Sequence, residues 1–177
     1  MNGLVALLDP PATQRVFTLW NELERHFNLR GVLSFPFPHI SFNILDKYET
    51  EQVEPELRLI AGRLKPFTIQ TAGLGFFLFP APVLYIPVVR SPQLHLVHQR
   101  LWRAFPQKVG SASLYSPVQW VPHITLAVDD LVREQMPEVL GLLKETNFYW
   151  AIRLEGLTIA VKTDTGYEFP CGCKFGE

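Results

Sequence analysis

Two cysteines, two methionines, no surplus of positive charge and no long unbroken apolar run are what this 177-residue chain has to offer in those categories. Each shortage excludes something. The longest apolar stretch, around Phe76 to Val89, is interrupted by Pro80, Pro82 and Pro87, whereas a bilayer span needs about 18 or more apolar residues in a row. The N-terminus, MNGLVALLDPP, lacks a basic flank and is too short for a secretory signal. These features predict a cytoplasmic protein with no membrane contact. Cys171 and Cys173 would point the same way on an extended strand and bridge only with strain. They supply two ligands where zinc takes about four, so they read as strand cysteines in a reducing compartment. With 16 basic against 17 acidic residues, no basic stripe marks a track for long nucleic acid. Any nucleic-acid contact is expected at a short segment or an end.

What is abundant is apolar residues, 47% of the chain against 19% charged, enough for a packed core. Their order repeats. GLVALL (3–8) reads as a strand and is stopped by Asp9-Pro10-Pro11. Helical spacing follows over 11–28, with Val16, Leu19, Trp20, Leu23 and Phe27 on one face. A loop runs from Leu29 to Pro38, and then the strand HISFNIL. From residue 83 the series recurs: VLYIPVV, a stop at Arg90-Ser91-Pro92, a helix over 92–105 with Leu94, Val97, Leu101, Trp102 and Phe105 on one face, a second loop from Pro106 to Pro122, and the strand HITLAV. Ser91 fits a helix N-cap and Pro92 the first helical position. Helices are expected over 51–64 and 130–145, with Pro55 and Pro137 near their starts. FTIQTAGLGFFLF (67–79) and WAIRLEGLTIAVK (150–162) each read as a strand carrying a glycine, and GYEFPCGCKF as a last strand. A unit of about 80 residues, present twice, is too few copies for a solenoid. The pattern predicts an α+β fold: a bilobal, pseudo-twofold duplicated unit with two antiparallel sheets flanking a central cleft and helices outside. The whole of 1–177 is then one bilobal domain, its motif-bearing halves roughly 1–80 and 81–177, with strands exchanged between the lobes.

Each half spells one short motif: Pro38-His39-Ile40-Ser41-Phe42 and Pro122-His123-Ile124-Thr125-Leu126. On a strand, residues i and i+2 share a face. His39 therefore sits with Ser41, and His123 with Thr125, while Ile40, Phe42, Ile124 and Leu126 face a packed layer. Proline cannot donate a ladder hydrogen bond and suits a strand start. If the halves pack about a pseudo-twofold axis, two imidazoles and two hydroxyls converge. One histidine can serve as base and the other as acid near neutrality, and the hydroxyls can donate to anionic oxygens. That set suits in-line displacement at phosphorus with no metal, provided a cyclic phosphate supplies strain. Neither strand shows a third ligand at metal-binding spacing beside its histidine, so no metal or other cofactor is expected. A single His-x-Ser or His-x-Thr means little; two at equivalent points of a duplication mean much more. Structural histidines kept as relics, and a metal pair, remain the competing readings of these residues.

With these two motifs the chain resembles the two-histidine (2H) phosphoesterase superfamily, which includes bacterial 2′-5′ RNA ligases and cyclic phosphodiesterases. The similarity extends over essentially the whole chain, and GLGFFLFPAPVLYIPVV (73–89) is similar to the hairpin that joins the lobes in that family. Ser41, where the family has Thr or Ser, keeps the hydroxyl. The resemblance implies a bilobal cleft and metal-independent opening of a 2′,3′-cyclic or related phosphate, with His39 and His123 catalytic and Ser41 and Thr125 on the phosphate. The substrate is then a small nucleotide or an RNA 3′ end bearing a cyclic phosphate. The family divides over which ester is cut, and nothing in the residues assigns base and acid between the histidines. Ligation of 2′-5′ RNA and a non-catalytic module holding a nucleotide or RNA end are the alternatives. Retention of both histidines and both hydroxyls favours the enzyme.

Around the motifs, Arg30 offers a planar fork for phosphate. Lys108, Tyr115 and Trp120 are candidates for holding phosphate or stacking on a base. Phe77 and Phe79, on one face of a strand, are candidates to line the cleft. Each of these also has an ordinary surface or packing reading. His26, His95 and His98 read as surface or partly packed residues, and Glu49, Glu51, Glu54 and Glu56 as a solvated helix start.

Overall fold

The computed structural model describes residues 2–45, 50–105 and 114–177. β1 (Asn2–Leu7) is followed by Asp9, whose carboxylate accepts from the Ala12 N–H at 2.9 Å and caps α1 (Pro10–Phe27). Pro10 and Pro11 occupy the first helical positions, where the absent N–H has no intrahelical partner to lose. Ala12, Val16, Leu19, Trp20 and Leu23 form the buried stripe, and Asn28 closes the helix in the left-handed region. The second half repeats the device. β5 (Val83–Pro87) leads to Ser91, whose hydroxyl accepts from the Leu94 N–H, and to α3 (Pro92–Ala104). The motif strands are β2 (His39–Leu45) and β6 (His123–Ala127). Ile40, Ile124 and Leu126 are fully buried and Phe42 nearly so, while His39, Ser41, His123 and Thr125 are half-buried on the other face. The alternation is that of a strand with one packed and one open side.

The remaining elements are α2 (Thr50–Gly62), β3 (Phe67–Gln70), β4 (Gly75–Phe77), α4 (Met136–Leu143), β7 (Ala151–Leu154), β8 (Gly156–Thr163) and β9 (Gly166–Lys174). Three differ from the reading of the sequence. The stretch 67–79 is two strands because at Thr71 the chain passes from its pairing with β7 to a bridge with Val88. The Thr71 side chain accepts from the Trp150 N–H and donates to the Phe148 carbonyl, while Gly73 turns at φ 78°. The stretch 150–162 divides at Glu155, where the chain passes from one sheet to the other. The helix expected over 130–145 occupies only 136–143, preceded by a 3-10 turn at Arg133–Gln135. Pro137 lies at its start, whereas Pro55 lies inside α2.

All strand pairings are antiparallel. One sheet runs β2-β1-β8-β9, so it joins strands from the two ends of the chain. β4-β5-β6 form a second sheet, and the β3-β7 pair connects to it through the Thr71–Val88 bridge. The architecture is α+β, with two antiparallel sheets and helices against them. β2 and β6, each an edge strand, run beside each other where the sheets meet. The helices cross over: α1 of the first half packs on β6, and α3 of the second packs on β2 and α2. No helix among the described residues is long and apolar enough to cross a membrane.

Candidate active site

Each motif strand carries the same irregularity. Val5 pairs with Ser41 and Leu4 with Asn43, leaving Phe42 as an extra residue; Tyr85 pairs with Thr125 and Leu84 with Ala127, leaving Leu126. Such a bulge bends its strand and re-aims side chains. At each bulge the carbonyl of the hydroxyl residue accepts from an indole of the opposite half. Trp20 Nε1 donates to Thr125 O at 3.1 Å and Trp120 Nε1 to Ser41 O at 3.0 Å. Beyond the first bulge, the buried Asn43 donates from Nδ2 to Phe105 O at 3.0 Å, tying β2 to the end of α3.

The two histidines are held alike. His39 Nδ1 lies 2.7 Å from the Phe37 carbonyl and His123 Nδ1 lies 2.7 Å from the Val121 carbonyl. A carbonyl can only accept, so each Nδ1 carries the proton and each Nε2 keeps its lone pair, with no hydrogen-bond partner among the described residues. Burial is the main cause that draws His39 down to about 4. The Phe37 carbonyl opposes it, and the His123 imidazole is near enough to lower it further. His123 is lowered as well, by burial against the pull of the Val121 carbonyl. Both rings are therefore neutral at neutral pH. His39 and Thr125, from opposite motifs, line one small cavity of about 100 Å³ with Trp20, Val32, Ser34, Phe35 and Val128. One cavity is thus lined by a residue of each motif. Tyr115 sits beside Ser41; burial raises its phenol and the Ser41 hydroxyl tempers the rise.

Aromatic rings surround both imidazoles. Phe77 meets His123 edge-on at 5.1 Å and stacks on Tyr85 at 4.2 Å, and Tyr85 also touches His123 at 5.1 Å. Gly75 makes this possible: a Cβ there would lie 2.6 Å from the Tyr85 ring. Phe35 meets His39 edge-on at 4.5 Å.

The other candidates from the sequence are placed as follows. Arg30 is engaged in an ion pair with Glu24 at 2.9 Å, and its N–H and that of Gly31 donate to the Asp130 carboxylate. Trp120 is buried with 3% exposure, so its ring is not open to a base. Phe79 stands 87% exposed and, among the described residues, makes no aromatic contact, whereas Phe77 meets His123. Lys108 and Glu49 lie outside the described residues, and Glu51 is described in its backbone only. His98 corrects the surface reading. It is fully buried, stacked on Trp120 at 3.8 Å and 4°, with neither ring nitrogen hydrogen-bonded among the described residues. Burial lowers it to about 4, so it is neutral. Trp20, Tyr85, Phe35, Tyr167 and Phe169 do not stand out as site residues in the sequence. A glycine opposite a tyrosine and the aromatic alternation of GYEF are their only signals.

Among the described residues no three His, Cys, Asp or Glu side chains gather as a metal would need. Comparison with known proteins agrees with the duplicated motif. A Bacillus mycoides protein provisionally named a phosphoesterase is 27% identical over 132 residues, 73% of each chain. One from Bacillus cytotoxicus, named likewise, is 28% identical over 116 residues, 64% of this chain and 63% of its own. The crystal structure of TT0787 from Thermus thermophilus superposes with a TM-score of 0.65 at 15% identity, covering 99% of this chain and 97% of that one. E. coli LigT in complex with 3′-AMP gives 0.58 at 16% identity, covering 99% of both. At such identities the likeness is one of fold. The model of the 2′-5′ RNA ligase superfamily matches residues 9–166, and the chain belongs to that superfamily, the two-histidine phosphoesterases.

Proposed function

We propose that this protein is a hydrolase that opens a cyclic phosphate on a small nucleotide or an RNA 3′ end, using His39 and His123 as general base and general acid. The observation that carries the reading is the matched tethering of the two imidazoles, each with Nδ1–H on the carbonyl two residues back and Nε2 keeping its lone pair. One Nε2 takes a proton from water as its oxygen forms a bond to phosphorus. The P–O bond to one ribose oxygen breaks, and the second imidazole, cationic at that moment, protonates the departing oxygen. The product is a phosphomonoester. The acid must be an imidazolium because its Nδ1 proton is already committed. Both rings are neutral at neutral pH, so the anionic substrate favours the charged form of the acid, which takes its missing proton from solvent. Ser41 and Thr125 donate to the non-bridging oxygens, whose positions are fixed by the bulges that the two indoles hold. The complex of E. coli LigT with 3′-AMP supports a nucleotide as the ligand class.

The test is hydrolysis of a 2′,3′-cyclic nucleotide and of a short RNA with a cyclic-phosphate end, in excess chelator, by wild type, His39→Ala and His123→Ala. A general acid or base contributes about 10²–10⁴-fold, and a loss of that size in both variants with turnover intact in chelator is expected. Turnover abolished by chelator, or unaffected in either variant, overturns the reading. Product analysis then identifies the bond.

A further inference from the structure

The irregularity that sets the motif strands apart occurs once more, in β9. Ile159 pairs with Cys171 and Val161 with Glu168, so Phe169 and Pro170 together oppose the single residue Ala160. The extra residue reverses the alternation. Cys171 and Cys173 face the packed side with Ile159 and Leu157, while Tyr167, paired with Lys162, faces the other side. That other side is the one that carries Ser41, through the pairings Ser41–Val5 and Val5–Thr158, and hence His39. Without the bulge, Tyr167 would lie on the cysteine face. The loop before β2 comes to meet it. Phe35 contacts Tyr167 at 4.5 Å, Phe37 contacts Phe169 at 4.8 Å, and Phe35 in turn contacts His39.

All these rings are half-buried or exposed, at the rim of the face that carries His39 and Ser41, where Val5, Thr158 and Ala160 are buried. An aromatic patch left at the surface beside reactive groups marks a binding surface. Its geometry differs from the aromatic pair at His123. Phe77 and Tyr85 stack at 27° and cover each other's faces, and Tyr85 is also pressed over Gly75. On the His39 side no pair is stacked, and the rings meet at 52° to 89°. Edge-to-face contact covers one face of one ring and leaves its partner's faces open. Open aromatic faces are what a nucleobase stacks on, whichever base it is.

We propose that Tyr167 and Phe169 of the β8–β9 hairpin, with Phe35, form the platform for the substrate's nucleobase, placing the base on the His39 side of the reacting phosphate. This rests on the cyclic-phosphate reading above, and its test separates the two. The whole protein, as wild type, Tyr167→Ala, Tyr167→Phe and Phe169→Ala, is assayed on adenosine 2′,3′-cyclic phosphate and on base-free ribose 2′,3′-cyclic phosphate. Binding of 3′-AMP and of ribose 3-phosphate is measured by calorimetry in parallel. Stacking contributes about 10-fold or more per base. The expected result is a rise in KM of that size for the nucleotide in Tyr167→Ala and Phe169→Ala, with kcat within about twofold, no change for the base-free substrate, and recovery in Tyr167→Phe. The nucleotide product should lose affinity in the same variants while the sugar phosphate does not. Equal effects on nucleotide and base-free compounds, or equal wild-type affinity for both, overturn the platform. Absence of turnover with all cyclic phosphates overturns the reaction, and the calorimetric comparison still decides the platform.

Discussion

The indole N–H of Trp120 donates to the main-chain carbonyl of Ser41 at 3.0 Å, across the boundary between the two halves. Trp20 makes the reciprocal bond to Thr125. Each hydroxyl that would bind phosphate is thus held at its bulge by a residue of the other half. Trp120→Phe and Trp20→Phe keep most of the buried ring and remove only the donor. An unsatisfied buried carbonyl costs about 1–3 kcal/mol, so each variant should unfold at lower denaturant. Each should also lose kcat beyond what its stability explains, because the phosphate donors lose register. Denaturant curves and steady-state kinetics check both; a stable variant with full kcat would deny the indoles this positioning role.

Gly31 has no space for a side chain. A Cβ there would drive into the backbone carbonyl of Val128 and press on Asp130. Gly31→Ala must push apart the loop before the first motif and the strand end after the second, and Asp130 would lose the two N–H groups it accepts. The variant should be destabilised by more than the roughly 1 kcal/mol typical of point substitutions. Thermal unfolding beside Gly141→Ala, where a Cβ meets nothing within 4 Å, is the measurement. Equal melting of the two variants would contradict the close approach.

The pH dependence follows from the lowered imidazoles. In kcat/KM the base must be neutral and the acid protonated in the free protein. Both members of the pair lie below the usual histidine value of 6.5, His39 at about 4. The bell for kcat/KM should peak on the acid side of pH 6.5, its two limbs belonging to the pair. The bound phosphate anion favours imidazolium, so the kcat profile should lie at higher pH. An optimum in kcat/KM above pH 7 would refute the lowering.

Stability should follow pH in the same window. His39 and His98 are held near 4 in the folded chain against 6.5 when exposed. Between those values the unfolded chain binds more protons, so stability falls as pH falls from about 6.5 to about 4 and is unaffected by these groups above it. His98→Phe, which keeps a ring on Trp120, should flatten that slope. Urea unfolding at pH 4.5 and 7.5 gives the comparison, and an unchanged slope in the variant would exclude His98 as a source.

Much of the fold is legible in the residues, for a local reason. Caps such as Asp9 and Ser91, the apolar stripes of α1 and α3, and the Pro-His-Ile strands are written in adjacent positions, and they announce the duplicated fold. The bulges at Phe42, Leu126 and Phe169–Pro170 are not legible. A register shift depends on the partner strand, and the bulged residue keeps an ordinary type. His98 looks peripheral from its helix position; it is buried by Trp120 and Phe42, which arrive from distant parts of the chain. For the same reason the open aromatic face of β9 cannot be told from a packed one, and Phe79, in step with Phe77, ends outside the site.

Cys171 and Cys173 sit with their sulfurs 3.5 Å apart, both buried, and burial first, then the neighbouring thiol, pushes the Cys171 thiol up to about 12. The thiolate is the reactive form. Neither should be alkylated by iodoacetamide in the folded protein at pH 8, and both should be in denaturant. Rapid labelling of native protein, read by mass spectrometry, would contradict this packing.

The crossing of α1 onto β6 and of α3 onto β2 has a bearing on how such a protein could be divided. A chain severed between the lobes leaves each fragment with a histidine strand whose apolar back has lost its cover. Neither fragment is expected to fold alone, because each is the missing half of the other's core. The two repeats share a local plan and act as complementary parts of one core. The paired imidazoles therefore come together only when both halves are folded on each other, and a molecule half unfolded holds no half site.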